Sequence, residues 1–282
     1  MNLKKVSAIF GTAMLLMTVS ANAQLKIAPG ETVAFLGDSI TQHGHNYPAG
    51  YVNLVQDALK VNGVEIKVIK AGISGNRSTH MLRRLEHDII RKKPQVMTLS
   101  CGVNDVWHGK RGVKLEDYKK NIRSIVEQAQ AAGIRVHILT ATMISEDPNK
   151  PNNIKLKEYN DFLKELAAEK RCPLVDLNAD MQKEIAALKT KYPKLKGYAL
   201  TVDGVHMNPY GNIMMAKGIL RSFGLNDAQI EKAKPGWMAK KWTINKIGTF
   251  TVKEFDTIQT KLWMQGKTVN SYILEKMQEL LK

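Results

Sequence analysis

The chain has 282 residues, enough for one large domain or for one domain with an appendage. Its 42 lysines and arginines exceed its 26 aspartates and glutamates, and the formal net charge is +16. An excess of this size attracts polyanions such as acidic polysaccharide, lipopolysaccharide or anionic lipid headgroups, although a generally basic soluble surface is an equally simple interpretation. No run of arginines alternates with aromatic residues, which argues against nucleic acid as a partner.

The first 23 residues have the pattern of a secretory signal peptide. A basic start (Met1–Lys5) precedes an apolar stretch from Val6 to Val19, and Ala21-Asn22-Ala23 forms a small-x-small cleavage site. The stretch is too short to span a bilayer comfortably, and no cysteine follows the site to carry a lipid anchor. We therefore expect cleavage near Ala23 and an exported protein, periplasmic or extracellular, without a stable membrane anchor.

Short apolar runs then alternate with helical patterns, which predicts an α/β protein with a parallel sheet. The strands are apolar on both faces, as strands covered by helices on both sides are. Five such strands favour the flavodoxin-like order 2-1-3-4-5. The predicted strands lie near 32–37, 65–70, 95–101, 134–141 and 173–177, and the predicted helices near 48–61, 77–91, 115–132, 153–170, 179–190 and 209–222.

The alternation stops after residue 224, which divides the exported chain into a domain over 24–224 and an extension over 225–282. In the extension we predict a strand pair around 242–253 and a helix near 268–281. It holds three of the four tryptophans: Trp237, Trp242 and Trp263. Two interpretations remain open. The tryptophans pack the extension onto the domain, or they form a lid or a platform on which sugar rings stack.

Two distant segments supply the residue types of a nucleophilic site. Gly37-Asp38-Ser39 closes the first predicted strand, and Asp203-Gly204-Val205-His206 lies far downstream. Taken singly, Ser39 fits a helix cap, and Asp203 and His206 fit ordinary polar loop residues. Together they provide a serine nucleophile, a histidine base and an aspartate that orients the base.

Two further segments follow predicted strands, at the sheet edge where ligands bind in open parallel sheets. The first is Gly72–Ser78 and the second is Gly102–Asp105. A glycine such as Gly75 allows a backbone N–H to approach a substrate closely, and Asn104 offers a side-chain N–H donor. An acyl-transfer enzyme needs such donors for the oxyanion of its tetrahedral intermediate.

These four segments, in this order, resemble the marker blocks of the SGNH (GDSL-type) hydrolase superfamily of esterases and lipases over about residues 31–223. The resemblance implies a three-layer α/β/α fold and hydrolysis of esters or thioesters without a metal or other cofactor. It assigns Ser39, Asp203 and His206 to catalysis. It assigns the oxyanion hole to the N–H groups of Ser39 and Gly75 and to the amide of Asn104.

Other polar and aromatic side chains are expected on loops around the same pocket. We expect these to bind substrate: His43, His45, Arg77, Trp107 and His108. His43-Gly44-His45 also invites a metal-site interpretation, but no carboxylate or cysteine at ligand spacing accompanies it, so we predict no metal. A polar mouth with aromatic rings suits a carbohydrate better than a long acyl chain.

The leading hypothesis is therefore an exported serine carboxylic-ester hydrolase, a carbohydrate O-acetylesterase acting on small-molecule or polysaccharide esters, anionic ones included. A lysophospholipase, arylesterase or thioesterase of the same superfamily is the alternative. A non-catalytic glycan-binding module is a third hypothesis, and it predicts the loss of a catalytic residue, which the sequence does not show.

Overall fold

The computed structural model of the protein describes residues 25–244 and 247–280. The predicted signal peptide and its cleavage site at Ala23 lie outside these residues. Within them, no helix is both long enough and apolar enough to cross a membrane.

A five-stranded parallel sheet with the order β2-β1-β3-β4-β5 forms the centre of the fold, so the predicted fold class is confirmed. The strands are β1 (Thr32–Gly37), β2 (Lys67–Gly72), β3 (Val96–Ser100), β4 (Arg135–Leu139) and β5 (Leu174–Val175). The direction of strand addition reverses between β1 and β3. In open α/β sheets a crevice forms at this reversal, outside the carboxyl ends of the strands.

Helices cover both faces of the sheet and bury its apolar strands. On one face, α2, α8 and α7 pack side by side, and on the other face α3, α5 and α6 do. The helices are α1 (Ser39–Asn46), α2 (Tyr51–Val61), α3 (Ser78–Asp88), α4 (Val103–Trp107), α5 (Leu115–Ala131), α6 (Pro151–Glu169), α7 (Leu177–Lys191) and α8 (Pro209–Ser222).

Two short helices occupy positions where loops were expected. Helix α1 begins directly at Ser39 because the Asp38 carboxylate accepts a hydrogen bond from the Ile40 N–H and caps the first turn. Helix α4 begins just after Gly102. His43, His45 and Trp107 therefore lie on helices, and His108 caps the end of α4.

The C-terminal extension consists of α9 (Asp227–Met238), an antiparallel pair of β6 (Lys241–Ile244) and β7 (Gly248–Thr251), α10 (Val252–Met264) and α11 (Val269–Glu279). The sequence Gly224–Asp227 predicts a helix end followed by a new cap, and Asn226 does cap α9, whereas no sequence pattern predicts α10. Trp237 and Trp263 are fully buried, and the Trp237 indole N–H donates to the Leu54 carbonyl in α2. The Trp263 ring stacks on Tyr210 of α8. The extension is thus packed against the layer formed by α2 and α8.

Candidate active site

Ser39 lies where β1 passes into α1, beside the crevice between β1 and β3. It is buried except for a small exposed fraction. The cap from Asp38 fixes the first turn of α1 and with it the direction of the Ser39 side chain. As the first residue of a helix, Ser39 has a backbone N–H without an intrahelical acceptor.

Ser39, His206 and Asp203 form one hydrogen-bonded chain of side chains. His206 Nε2 lies 2.8 Å from Ser39 Oγ, and His206 Nδ1 lies 2.7 Å from Asp203 Oδ2. The other oxygen of Asp203 accepts the backbone N–H groups of Val205 and His206, at 3.0 and 2.8 Å. The carboxylate therefore fixes both the imidazole and the turn that carries it.

The electrostatics of this chain suit a histidine base. Partial burial raises the pKa of Asp203, but hydrogen bonds from the His206 ring and from two backbone N–H groups outweigh this and lower the pKa to about 2. The hydrogen bond to Asp203 raises the pKa of His206 above 6.5, against the opposite effect of burial. Asp203 is thus ionised across the physiological range, and it stabilises the imidazolium that forms when His206 accepts a proton.

A buried glutamate, which sequence reasoning missed, holds the segment before Asp203. Glu146 accepts hydrogen bonds from the backbone N–H groups of Ala199 and Leu200, at 2.6 and 2.8 Å, and from the Thr201 hydroxyl at 2.6 Å. Next to it, the Ser145 N–H donates to the Gly204 carbonyl at 2.6 Å. No sequence signal marks Glu146, because its partners follow it by more than fifty residues.

The predicted oxyanion donors are the backbone N–H groups of Ser39 and Gly75 and the side-chain amide of Asn104. Gly75 has φ +73°, a conformation that L side chains rarely adopt. In residues 25–244 and 247–280, no acceptor engages the N–H of Ser39 or of Gly75. Hydrogen bonds to both the oxygen and the nitrogen of the Asn104 side-chain amide fix its orientation. Its oxygen lies 3.1 Å from His108 Nε2, and its nitrogen donates to the Asn76 carbonyl at 3.1 Å.

Two buried acids next to the site act as structural acceptors. Burial raises the pKa of Asp38 to about 6, and its Oδ2 accepts a 3.3 Å hydrogen bond from the Asn104 amide. Asp105 accepts both the backbone N–H and the hydroxyl of Ser78, at 3.0 and 2.6 Å. Asp105 thus connects helix α4, which follows β3, to the start of α3.

The five side chains predicted to surround the pocket have different surroundings. The His43 ring lies 4.8 Å from the His206 ring, centre to centre, and Trp107 is exposed at the end of α4. His108 contacts Asn104, as described above. The Arg77 guanidinium donates to the Arg111 carbonyl.

The prediction that His45 lies at the rim of the pocket is wrong. Its side chain is buried and its Nδ1 lies 2.9 Å from the Asn46 side chain. The reason is helical geometry, because residues two positions apart in α1 point to different faces. His43 therefore faces the site while His45 faces the interior. The described residues include no group of three or more metal-ligating side chains.

An open cleft of about 970 Å³ adjoins the histidine. Asp203 and His206 lie in its wall together with Trp242, one of the tryptophans for which a substrate platform was one interpretation, and with residues that sequence reasoning did not connect with the site: Tyr47, Lys196, Tyr198, Lys241 and Asn270. These residues come from the end of α1, from the segment before Asp203 and from the extension. Because these residues are far apart along the chain, no local sequence pattern predicted that they line one cleft.

A serine, a histidine and an aspartate hydrogen-bonded in series beside free backbone N–H groups form the arrangement that serine hydrolases use for acyl transfer. Residues 35–212, more than half of the chain, match the model of the GDSL-like lipase/acylhydrolase family. The chain therefore belongs to that family of ester hydrolases.

Two curated relatives are esterases. The acetylxylan esterase of Geobacillus stearothermophilus is 31% identical over 219 residues, which cover 71% of this chain and 97% of the relative. Esterase TesA of Pseudomonas aeruginosa is 33% identical over 128 residues, 45% of this chain and 59% of the relative. The first match spans nearly the whole relative, and the second spans part of it.

Solved structures extend the likeness to the fold. The Geobacillus acetylxylan esterase Axe2 aligns with a TM-score of 0.64 and 30% identity over 72% of this chain and 98% of that one. The acetyl xylan esterase AlAXEase aligns with a TM-score of 0.63 and 33% identity. This alignment covers 68% of this chain and 98% of that one. Other structures of Axe2 are of catalytic mutants in which a serine, a histidine or an aspartate is replaced by alanine. In Axe2 that aspartate precedes that histidine by three positions.

Proposed function

We propose that this protein is an exported serine esterase that removes acetyl groups from carbohydrate. The observation that carries the proposal is the hydrogen-bonded chain from Ser39 through His206 to Asp203, in a protein similar to acetylxylan esterases along nearly their whole length. The catalytic serine, histidine and aspartate of Axe2 support the same three roles here. So does the shared spacing of three positions between aspartate and histidine.

In the proposed reaction, Ser39 Oγ attacks the ester carbonyl carbon while His206 Nε2 takes the hydroxyl proton. The carbonyl oxygen becomes an oxyanion, which accepts hydrogen bonds from the N–H groups of Ser39 and Gly75 and from the Asn104 amide, which gives up its long 3.3 Å hydrogen bond to Asp38 to do so. Each donor of this kind is worth about 3–4 kcal/mol of transition-state stabilisation. Asp203 holds the imidazole in place and stabilises its protonated form.

The intermediate then breaks its bond to the sugar oxygen, which receives the proton from His206 and leaves as the alcohol. An acetyl group remains on Ser39. Water gives one proton to His206 and attacks this acyl-enzyme, and His206 returns that proton to Ser39 Oγ as acetic acid leaves and loses its own proton to solvent. His206 thus carries the proton in each transfer between the attacking and leaving oxygens, so no metal or other cofactor enters the proposed sequence.

The acetyl group in the proposal rests on the likeness to acetylxylan esterases, and the carbohydrate alcohol rests on the surroundings of the site. The histidine-side cleft contains tyrosines, lysines and asparagines among its lining residues, groups that hydrogen-bond and stack on a sugar. Export rests on the signal pattern that ends near Ala23. We assign catalysis to a domain over 24–224 and treat 225–282 as an extension with a separate role.

A substrate panel tests the proposal. The purified protein is assayed with acetylated xylo-oligosaccharides, 4-nitrophenyl esters from acetyl to octanoyl, and lysophospholipid. We expect acetyl esters to exceed octanoyl esters by about tenfold in kcat/KM, which corresponds to about 1.4 kcal/mol. A steady rise of kcat/KM from two to eight carbons, or hydrolysis of lysophospholipid without deacetylation of sugars, contradicts the assignment and favours a lipase-like role.

A further inference from the structure

The large cleft lies on one particular side of the candidate nucleophile. Its walls include Asp203 and His206, whereas Ser39, Gly75 and Asn104 are not among the described residues that line it. In acyl transfer the carbonyl oxygen points to the oxyanion donors, and the leaving oxygen lies near the histidine that protonates it. The cleft is therefore placed to receive the alcohol part of the ester and not the acyl part.

The extension builds much of this cleft. Lys241, Trp242, Thr243 and Ile244 of β6 line it, as does Asn270 at the start of α11. All of them follow residue 212, where the family match ends. This part of the cleft thus lies outside the segment that matches the family model.

A row of aromatic rings connects the extension to the candidate base. The ring centres of Trp242 and Tyr47 are 5.7 Å apart, those of Tyr47 and His43 are 5.0 Å apart, and those of His43 and His206 are 4.8 Å apart. Trp242 is buried, while 43% of Tyr47 is exposed. Trp242 therefore supports the Tyr47 ring edge-on, and Tyr47 offers apolar surface with a polar tip to a ligand, as aromatic residues at sugar sites do.

Two lysines give the cleft a positive character. Lys196 and Lys241 reach it from separate segments of the chain, and neither forms a salt bridge with the described residues. Among these residues, Asp203 is the one carboxylate in the lining, and it is already paired with His206. Burial lowers the pKa of His43, which therefore adds little positive charge near neutral pH.

One acidic side chain lies close to Lys241 outside the lining. Glu254 of α10 accepts hydrogen bonds from the backbone N–H and the hydroxyl of Thr251, at 2.7 and 2.8 Å. These bonds, more than the nearby charge of Lys241, lower the pKa of Glu254. Glu254 makes no salt bridge with Lys241, so it offsets the lysine charge only in part.

We propose that the extension forms an alcohol-side subsite for an acetylated oligosaccharide that carries a carboxylate, as a uronic acid does. A sugar ring stacks on Tyr47, and Lys196 and Lys241 bind the carboxylate. The proposal rests on the proposed function, since it takes the leaving group to be a sugar. It adds a preference among glycans to which Lys241 and Trp242, beyond the family match, contribute together with Tyr47 and Lys196 inside it.

The test compares acetylated xylo-oligosaccharides with and without a uronic acid branch, and uses 4-nitrophenyl acetate as a small reference ester. We expect the unmodified protein to prefer the acidic oligosaccharide by about fivefold in kcat/KM, mainly through a lower KM, and the preference to fall with added salt. In the double variant Lys196→Gln/Lys241→Gln the preference should disappear. Lys253→Gln, an exposed lysine of α10 outside the cleft, is the matched control and should retain it.

Tyr47→Ala tests the stacking step. It should lower kcat/KM for both oligosaccharides, relative to 4-nitrophenyl acetate, by about fivefold. Binding can also be measured without turnover, by titrating the deacetylated acidic oligosaccharide into Ser39→Ala protein with and without the two lysine substitutions. We expect about fivefold weaker binding when the lysines are replaced.

The outcomes separate the two proposals. Equal activity on acidic and neutral acetylated oligosaccharides, or an acidic preference that survives the double substitution, overturns the subsite and leaves the proposed function intact. Activity on 4-nitrophenyl acetate with none on any acetylated oligosaccharide overturns both.

Discussion

His206 Nε2 and Ser39 Oγ are 2.8 Å apart, although the two residues are separated by 167 positions of the chain. The contact exists because both residues lie beyond the carboxyl ends of the parallel strands, Ser39 directly after β1 and His206 just before α8. The contact aligns the Ser39 hydroxyl, as proton donor, with His206 Nε2, as proton acceptor. The alignment depends on the fold and not on the spacing of the two residues in the sequence.

The first prediction follows from this pair. Ser39→Ala and His206→Ala should each reduce kcat by more than about a thousandfold, and the double variant should be no worse, because the two side chains act as a unit. Ester hydrolysis by the purified variants measures this, with circular dichroism to establish folding. Ser124→Ala on α5 is the control. Additive losses would mean that the two residues act in separate steps.

The second prediction concerns pH. Activity requires neutral His206, and the hydrogen bond to Asp203 raises the His206 pKa above 6.5. The acidic limb of the kcat/KM profile should therefore have its midpoint above that value. Asp203→Asn removes the charge that stabilises the imidazolium, so the midpoint should move to lower pH while the plateau falls. An unchanged midpoint in the variant would show that another group controls the limb.

The third prediction assigns Glu146 as a positioning residue. Glu146→Gln replaces one acceptor oxygen with an NH₂ group that faces donors, which should reduce the free energy of unfolding by about 1–3 kcal/mol. The turn with Asp203 and His206 should lose its fixed position, so kcat should fall about tenfold or more while KM changes little. Kinetics and chemical denaturation measure the two effects. Glu158→Gln, an exposed glutamate of α6, should change neither, and equal kcat in both variants contradicts the role.

The fourth prediction uses the buried carboxyl of Asp38. Burial raises its pKa from 3.8 to about 6, so its ionisation disfavours the folded state. The contribution of Asp38 to the stability of the unmodified protein should therefore decline as pH rises between these values, by an amount on the order of 1–3 kcal/mol. Asp38→Asn can retain the helix cap without the charge, and its Tm relative to the unmodified protein should rise from pH 4 to pH 7.

The same substitution should lower activity, because the Asn104 amide loses the carboxylate that it donates to. Asp117→Asn on the exposed face of α5 serves as the control in the melting series. A Tm difference that stays constant from pH 4 to pH 7 would mean that Asp38 does not titrate in this range.

The fold and the core of the site could be anticipated because their signals are local. Each strand is a short apolar run, and in a parallel sheet the turn after a strand has a known position, which brings Ser39 and Asn104 to one edge. The misplacement of His45 has an equally local cause. A loop was assumed where the Asp38 cap begins a helix, and the helix turns His45 inward.

The remaining features depend on contacts that no single segment encodes. Tyr47 meets Trp242, and Glu146 meets Leu200, only after the chain has folded, and neither pair has a distinctive spacing. For the same reason the sequence does not distinguish tryptophans that pack the extension from tryptophans that line the cleft. Trp237 and Trp263 pack against the domain, while Trp242 supports the cleft.

The groups proposed to act on the ester carbonyl and the residues on the alcohol side come partly from different segments of the chain, and this has an evolutionary consequence. Residues 35–212 contain every group proposed to act on the ester carbonyl, whereas the hairpin and helices after residue 240 contribute to the region where the alcohol lies. Replacing the segment after residue 240 by recombination would therefore change what Lys241 and Trp242 contribute to the glycan preference, while Tyr47, Lys196 and the hydrolytic core stay in place. A lineage built in this way can adjust to changes in the decoration of its polysaccharides without altering the groups that act on the ester carbonyl.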